Sequence, residues 1–408
     1  MLIDVDRRWK TVTVRAIIHR PLDHGTTRGA LLARMLERGC RRTPDLRSIT
    51  RHLESLWGAG LEVEPGKIGE RQLIHLQLQI LSDRYVPRGT GNLARGLEFL
   101  ARVLAEPVLE DGAFPEAALE QEKENLRRHI EAIANDKAEY AAHRLIQEMC
   151  REEPYRRYEW GEVGEIGRIR GRELAAFHAR LLRRAPIEIH VAGNVSVRPL
   201  LSTLARVFDL RRGGVQVPPA CVPGAAPPSP RTVVEEEPEI EQAKLVLGFR
   251  SGATLADDRI YSTMMLNGVL GAFSHSRLFH AFRGSEGLAY SIHSWVERTK
   301  GLLAVEAGID ADRYEHAVEL VRGAVDDLAS RPADDAEVDL TRRALEERLD
   351  GLRDNPAARL GFYLERAVNG REETLDEVAA KLRAVGPADI VEAARRLQLD
   401  TVYFLKPA

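Results

Sequence analysis

Thr11-Val12-Thr13-Val14-Arg15-Ala16-Ile17-Ile18-His19, followed by Ala30-Leu31-Leu32-Ala33-Arg34-Met35-Leu36-Glu37-Arg38-Gly39-Cys40, is the stretch on which the fold turns. The first run alternates like a β-strand. The second places Leu31, Leu32, Met35 and Leu36 on one helical face, and Gly39 supplies a C-terminal stop. A second helix, Leu46 to Trp57, runs into Gly58-Ala59-Gly60. Leu61 to Val63 and Leu73 to Leu81 then read as a hairpin, the latter alternating His75, Gln77 and Gln79 against Ile74, Leu76, Leu78 and Ile80. Helices follow over about 91–105, 114–133, 136–150 and 171–183, and Ile187 to Gly193 is a closing strand.

Residues 212–231 interrupt this pattern with Gly213, Gly214, Pro218, Pro219, Pro223, Gly224, Pro227, Pro228 and Pro230, a composition suited to an extended linker. Beyond it the order of elements repeats. Ala243 to Phe249 is a strand, Asp257 to Leu270 and Ser276 to Arg283 are helices, and strands follow near 288–297 and 302–309. Helices over 312–330, 337–352, 355–368, 375–382 and 387–397 lead to a last strand, Thr401 to Leu405. Such a repeat implies duplication. With few strand–helix–strand alternations, a mostly antiparallel or mixed sheet backed by helices is expected in each copy.

Composition is consistent with two domains. A chain of 408 residues exceeds the roughly 250–300 residues at which single cores stop growing. Hydrophobic residues make up 44% and charged residues 30%, as in globular proteins. A net charge of −3 provides no overall attraction to nucleic acid or an anionic membrane. No apolar run reaches the length of a membrane helix, and Met1-Leu2-Ile3-Asp4-Val5-Asp6 lacks a signal-peptide core, so a cytoplasmic location is expected. Cys40, Cys150 and Cys221 are scattered and form no zinc or disulfide spacing.

Four segments carry a family resemblance. Met35 to Cys40 is similar to the "MLFKGT" end of a zinc-binding helix, and Leu53 to Ala59 to an "LE..GG" segment. Phe114 to Lys123 resembles "F..ERE+", and Ser276 to Tyr290 resembles "SRLF..LRE+.GLAY". Together with the duplicated order, these resemble the insulinase/pitrilysin peptidases, which include the mitochondrial processing peptidases. The resemblance implies an α+β fold of two homologous domains, each a mostly antiparallel sheet backed by helices, the LuxS/processing-peptidase-like metallohydrolase fold. It gives 1–211 as the N-terminal domain, 212–233 as the linker and 234–408 as the C-terminal domain.

In that family an inverted H-x-x-E-H motif binds zinc and supplies the general base, and a glutamate from a later helix completes the site. The resemblance puts Ala30, Ala33 and Arg34 at those motif positions and Glu120 at the later one. Alanine has no donor atom and arginine is permanently cationic, so no metal is expected in this chain. The histidines form no H-x-H, H-x-x-H or H-x-x-x-H pair; His19 and His24 flank a turn, and His275 and His280 are five apart. No G-x-S-x-G elbow or phosphate-binding loop occurs. Cys40, beside Arg38, reads as a packed thiol.

The resemblance also implies that Arg283 and Tyr290 match the family's substrate-clamping pair. Two-chain members divide the site between an H-x-x-E-H subunit and an Arg/Tyr-bearing one. The expected function is therefore a non-catalytic subunit of a heteromeric zinc peptidase, with zinc in the partner subunit and a peptide as substrate. A homodimer, a scaffolding homologue without proteolysis, and a stand-alone metallopeptidase with a rebuilt site are the alternatives. Asn135 to Ala141, Glu153-Pro154-Tyr155 and Leu56 to Ala59 further resemble a bacterial subgroup described as associated with modification of elongation factor P.

Overall fold

Two five-stranded sheets organise the chain, and they share one topology. The structure is a computed structural model that describes residues 1–408 except 211–212, 223, 239 and 284–288 and the side chains of 283, 289 and 290. In the first sheet, β1 (Leu2–Val5), β2 (Thr11–Pro21), β3 (Gly60–Ile68), β4 (Arg71–Leu81) and β5 (Ile187–Gly193) run in the order β1-β5-β2-β4-β3. The second contains β6 (Arg231–Glu237), β7 (Ala243–Arg250), β8 (Ala289–Glu297), β9 (Leu302–Ile309) and β10 (Gln398–Pro407), in the order β6-β10-β7-β9-β8. In both, the first strand lies parallel to the last and every other pairing is antiparallel. The α+β architecture and the duplication expected from sequence are thus found. β1 and β6 are additions: both are edge strands, and β6 begins inside the expected linker.

The alternation of β2 has a direct structural meaning. Val12, Val14, Ala16 and Ile18 belong to the apolar core of the first sheet, together with Leu31, Leu32 and Leu36 of the helix Thr26–Glu37. Gly29 allows the start of this helix to sit close to β4. A Cβ there would lie 2.2 Å from Oε1 of Gln72. Gln72 is fully buried, and its Nε2 donates to the Thr26 carbonyl at 2.9 Å and the Glu159 carbonyl at 2.5 Å. Its Oε1 accepts from Arg20, which also donates to Asp23.

Two compact units are present, and they do not follow the halves 1–211 and 234–408. One comprises Met1–Glu131, Arg157–Pro219 and Pro356–Gly361; the other comprises Ala132–Arg156, Ala220–Asn355 and Phe362–Ala408. The helix Lys137–Met149 therefore belongs to the unit of the second sheet. Its Ala141, Leu145, Ile146 and Met149 pack with Val246 of β7 and Tyr403 and Leu405 of β10. Gly248 makes room for Met149, whose Sδ lies 2.2 Å from where a Cβ would be. Glu235 reinforces the contact by accepting from the Tyr140 and Tyr403 hydroxyls, each at 2.6 Å, and from Arg144 Nε at 3.2 Å. Burial and the Glu235 carboxylate push the Tyr140 phenol up to about 12. Conversely, Arg359 lies in the first unit and binds Asp4 at 2.6 Å and Asp6 at 3.3 Å. Helical periodicity reveals that 137–149 has an apolar face but not which sheet covers it. Among the described residues, no helix is long and apolar enough to cross a membrane.

Replacing Gln72 with leucine removes partners from two buried carbonyls and from the Arg20 guanidinium. An orphaned buried polar group costs ~1–3 kcal/mol, so Gln72→Leu is expected to lower stability by ~2–5 kcal/mol. Denaturant unfolding followed by tryptophan fluorescence measures it; a loss below ~1 kcal/mol contradicts the anchoring role.

Candidate functional site

Helical phase decides what the helix Thr26–Glu37 can offer. Ala30 and Ala33 face the core and are fully buried, whereas Arg34 is on the partly open side. The helix Glu116–Glu131 lies beside it and presents Glu122, not Glu120. Glu122 accepts from Arg38 Nη1 at 2.6 Å and lies 3.6 Å from Arg34 Nη1. It also accepts from Asn125 Nδ2 at 3.1 Å. Glu120 is instead exposed and pairs with Lys123 at 2.7 Å. The signal for Glu122 was available in the sequence. Leu119 and Leu126 are buried, and Glu122 sits three residues after one and four before the other, on their face of the helix.

Trp160 completes this region. The Arg34 guanidinium carbon lies 5.3 Å from the indole ring centre, and the His129 ring lies 3.8 Å from it. Burial, and then the charge of Arg34, holds the His129 imidazole below its usual range. Sequence reasoning did not single out either aromatic ring.

These residues do not fit a zinc ion. Ala30 and Ala33 provide no donor atoms, Arg34 places a fixed positive charge at the third motif position, and Glu122 is engaged by two guanidiniums. Among the described residues, no group of three or more His, Cys, Asp or Glu side chains is placed to hold a metal. His24 and His275 have separate partners. His24 Nδ1 is bonded by Arg157 at 3.1 Å, and His275 Nε2 lies 3.2 Å from Thr341 Oγ1. Cys40 is buried with Sγ 3.2 Å from Thr43 Oγ1, as expected of a packed thiol.

Arg283 ends the helix Arg277–Arg283 and Tyr290 is the second residue of β8; their side chains, and residues 284–288 between them, lie outside the described residues. The start of that helix is firmly held. Arg277 forms a two-pronged bond with Glu337, both distances 2.8 Å, and a third bond to Asp327 at 2.7 Å. Such forked pairs fix orientation as well as charge.

One titratable cluster lies elsewhere on the first sheet. Glu188 of β5 is 2.8 Å from His190 Nε2 and 3.2 Å from His19 Nε2. Hydrogen bonds from His19 and His190 hold the Glu188 carboxyl well below the usual carboxylate range.

Comparison with known proteins agrees with the geometry. The family model described as Peptidase M16 inactive domain matches residues 168–345. The chain is 29% identical over 403 residues to the probable inactive metalloprotease YmfF of Bacillus subtilis, covering 98% of this chain and 93% of that protein. A conserved protein from Enterococcus faecalis superposes with a TM-score of 0.93 at 24% identity, over 100% of this chain and 96% of that one. A peptidase M16 inactive domain protein from Pseudomonas fluorescens superposes with a TM-score of 0.82 at 19% identity, covering 100% and 95%. At these identities the two structures speak for the fold alone.

Two outcomes follow from the charges. Glu122→Ala leaves Arg34 and Arg38 facing each other without a counter-charge, and breaking a largely buried pair costs up to ~3–5 kcal/mol. Because both arginines are partly exposed, a loss of ~1–3 kcal/mol is expected, whereas Glu120→Ala should stay within ~0.5 kcal/mol. For Glu188 the depressed carboxyl contributes stability above its unfolded pKa, about 4.3, and this contribution disappears as pH falls below that value. Denaturation at pH 7 and pH 3.5 should therefore show a smaller acid-induced loss in Glu188→Gln than in the parent; equal losses contradict the assignment.

Proposed function

Since this chain is an M16-family peptidase homologue whose motif positions hold no metal ligands, we propose that it acts as the non-catalytic subunit of a heteromeric zinc peptidase. The zinc and its H-x-x-E-H motif would reside in a partner subunit of the same family. The observation that supports this reading is the contrast within one helix. It packs against β2 and β4, while Ala30, Ala33 and the Arg34–Glu122–Arg38 cluster leave no ligand set at the positions the family resemblance assigns to metal chemistry. A fold retained without its metal site is suited to shaping a chamber for a peptide.

Arg283 and Tyr290 would supply the remaining chemistry. A guanidinium and a phenol both donate hydrogen bonds to a peptide carbonyl oxygen, whose negative charge grows as the attacking water adds. A pairing of this chain with a second copy would bring no metal ligands, so a homodimer is expected to bind peptide without cleaving it. The working location in this reading is the cytoplasm.

The test is reconstitution. The chain alone should release no product from a fluorogenic peptide library, and an H-x-x-E-H homologue from the same source, once mixed with it, should. Arg283→Ala or Tyr290→Phe should then lower kcat by ~10²–10³, the cost of losing one oxyanion-type donor, while size-exclusion chromatography shows unchanged assembly. Cleavage unaffected by either variant removes the clamp from the proposal. Assembly without cleavage in any pairing replaces it with a scaffolding role.

A further inference from the structure

A basic cleft of about 430 Å³ lies entirely within the first unit. It runs between the end of β2 and the helix Gly171–Arg184, and residues Gln216–Pro219 form its outer wall. That wall is pinned by backbone bonds, Gln216 N to the Arg184 carbonyl at 2.9 Å and Gly213 N to the Arg183 carbonyl at 3.2 Å. The floor is Phe177, which is buried. Three guanidiniums gather on this single ring: Arg20 and Arg180 at 5.5 Å and Arg28 at 5.6 Å from its centre. Arg184 lines the same cleft one helical turn beyond Arg180.

Arg20 is neutralised by Asp23. Among the described residues, no carboxylate pairs with Arg28, Arg180 or Arg184. Other guanidiniums of the chain have full carboxylate partners: Arg250 with Glu153 and Asp400, Arg277 with Asp327 and Glu337, Arg359 with Asp4 and Asp6. Holding like charges together without counter-charges is unfavourable, and Phe177 offsets only part of that through cation–π attraction. His19 is fully buried at the cleft; its Nε2 faces Glu188 at 3.2 Å, and its Nδ1 has no hydrogen-bond partner.

We propose that this cleft binds a phosphate monoester. Arg180 and Arg184 in the cleft, with Arg28 on the same Phe177 ring, exceed what one carboxylate would balance, whereas a monoester carries a charge of about −1.5 to −2 at neutral pH and three strong acceptor oxygens. Guanidinium forks match those oxygens in pairs. The volume lies in the range of small-ligand sites, and Phe177, Leu181 and Pro218 provide an apolar wall for the body of the ester. The phosphate would come from a small phosphorylated molecule or from a phosphorylated side chain. The proposal is independent of the heteromeric peptidase reading.

Calorimetric titration of the full chain tests it with phenyl phosphate, inorganic phosphate, a phosphoserine peptide with its unphosphorylated twin, and phenylacetate as the carboxylate control. Saturable binding of phenyl phosphate or the phosphopeptide, weakened by salt, is expected. The double variant Arg180→Ala/Arg184→Ala alters only exposed side chains, so its melting temperature should hold while affinity falls about tenfold or more. Arg180→Lys/Arg184→Lys should retain part of the binding, because charge remains and the forks do not. Tighter binding of the phosphopeptide identifies a protein-borne phosphate, and equal or tighter binding of phenyl phosphate a small molecule. No saturable binding of any phosphate probe, equal binding of phenylacetate, or unchanged affinity in the alanine double variant overturns the proposal.

Discussion

One buried amide sets the geometry of the first unit. Gln72 projects from β4 and bonds simultaneously to the Thr26 carbonyl, the Glu159 carbonyl and the Arg20 guanidinium. An amide can donate twice and accept twice, so one side chain ties together three segments distant in sequence, around residues 20–26, 72 and 159. The bond to Thr26 fixes where the helix Thr26–Glu37 begins, and therefore which residues turn inward. The bond to Glu159 places its neighbour Trp160 against Arg34 and His129. The bond to Arg20 holds the back of the basic cleft. Gly29 is the matching concession, since any side chain there would displace the amide.

With the helix so fixed, Ala30, Ala33 and Arg34 each take part in its packing. Ala30 and Ala33 contribute methyl groups to a packed core, where an unpartnered imidazole or carboxylate would carry a desolvation cost. Arg34 keeps a charge, but Glu122 offsets it and is shared with Arg38. The result is a charge cluster in which one carboxylate serves two guanidiniums. Glu122 thus has a structural partner set of its own, which explains a largely buried carboxylate without appeal to a metal.

Much of this was legible in local pattern. Alternation in 11–19 and 73–81, the helical faces and the Pro/Gly run at 212–231 are short-range signals, and the repeat of their order disclosed the duplication. What was missed has physical causes. β1 is only four residues long, and β6, Arg-Thr-Val-Val-Glu-Glu-Glu, has the polar composition of an exposed edge. The helix Val197–Val207 contains Pro199, which reads as a breaker although it falls in the first turn, where proline is tolerated. Glu120 and Glu122 lie in one charged run, and only the phase set by Leu119 and Leu126 separates them. The grouping of Arg20, Arg28 and Arg180 on Phe177 spans about 160 positions of sequence, and no periodicity encodes such a meeting.

The helix Lys137–Met149 carries a last implication, about how the chain is to be divided. The proline-rich stretch looks like the natural place to cut, yet a fragment beginning there would lack the helix whose Leu145 and Met149 cover β7 and β10. It would expose an apolar sheet face and leave Glu235 without Tyr140 and Arg144. The unit of the second sheet thus draws part of its core from the first half of the polypeptide. A C-terminal half cut at the proline-rich stretch is therefore incomplete, because the duplicated order of elements and the compact unit have different boundaries.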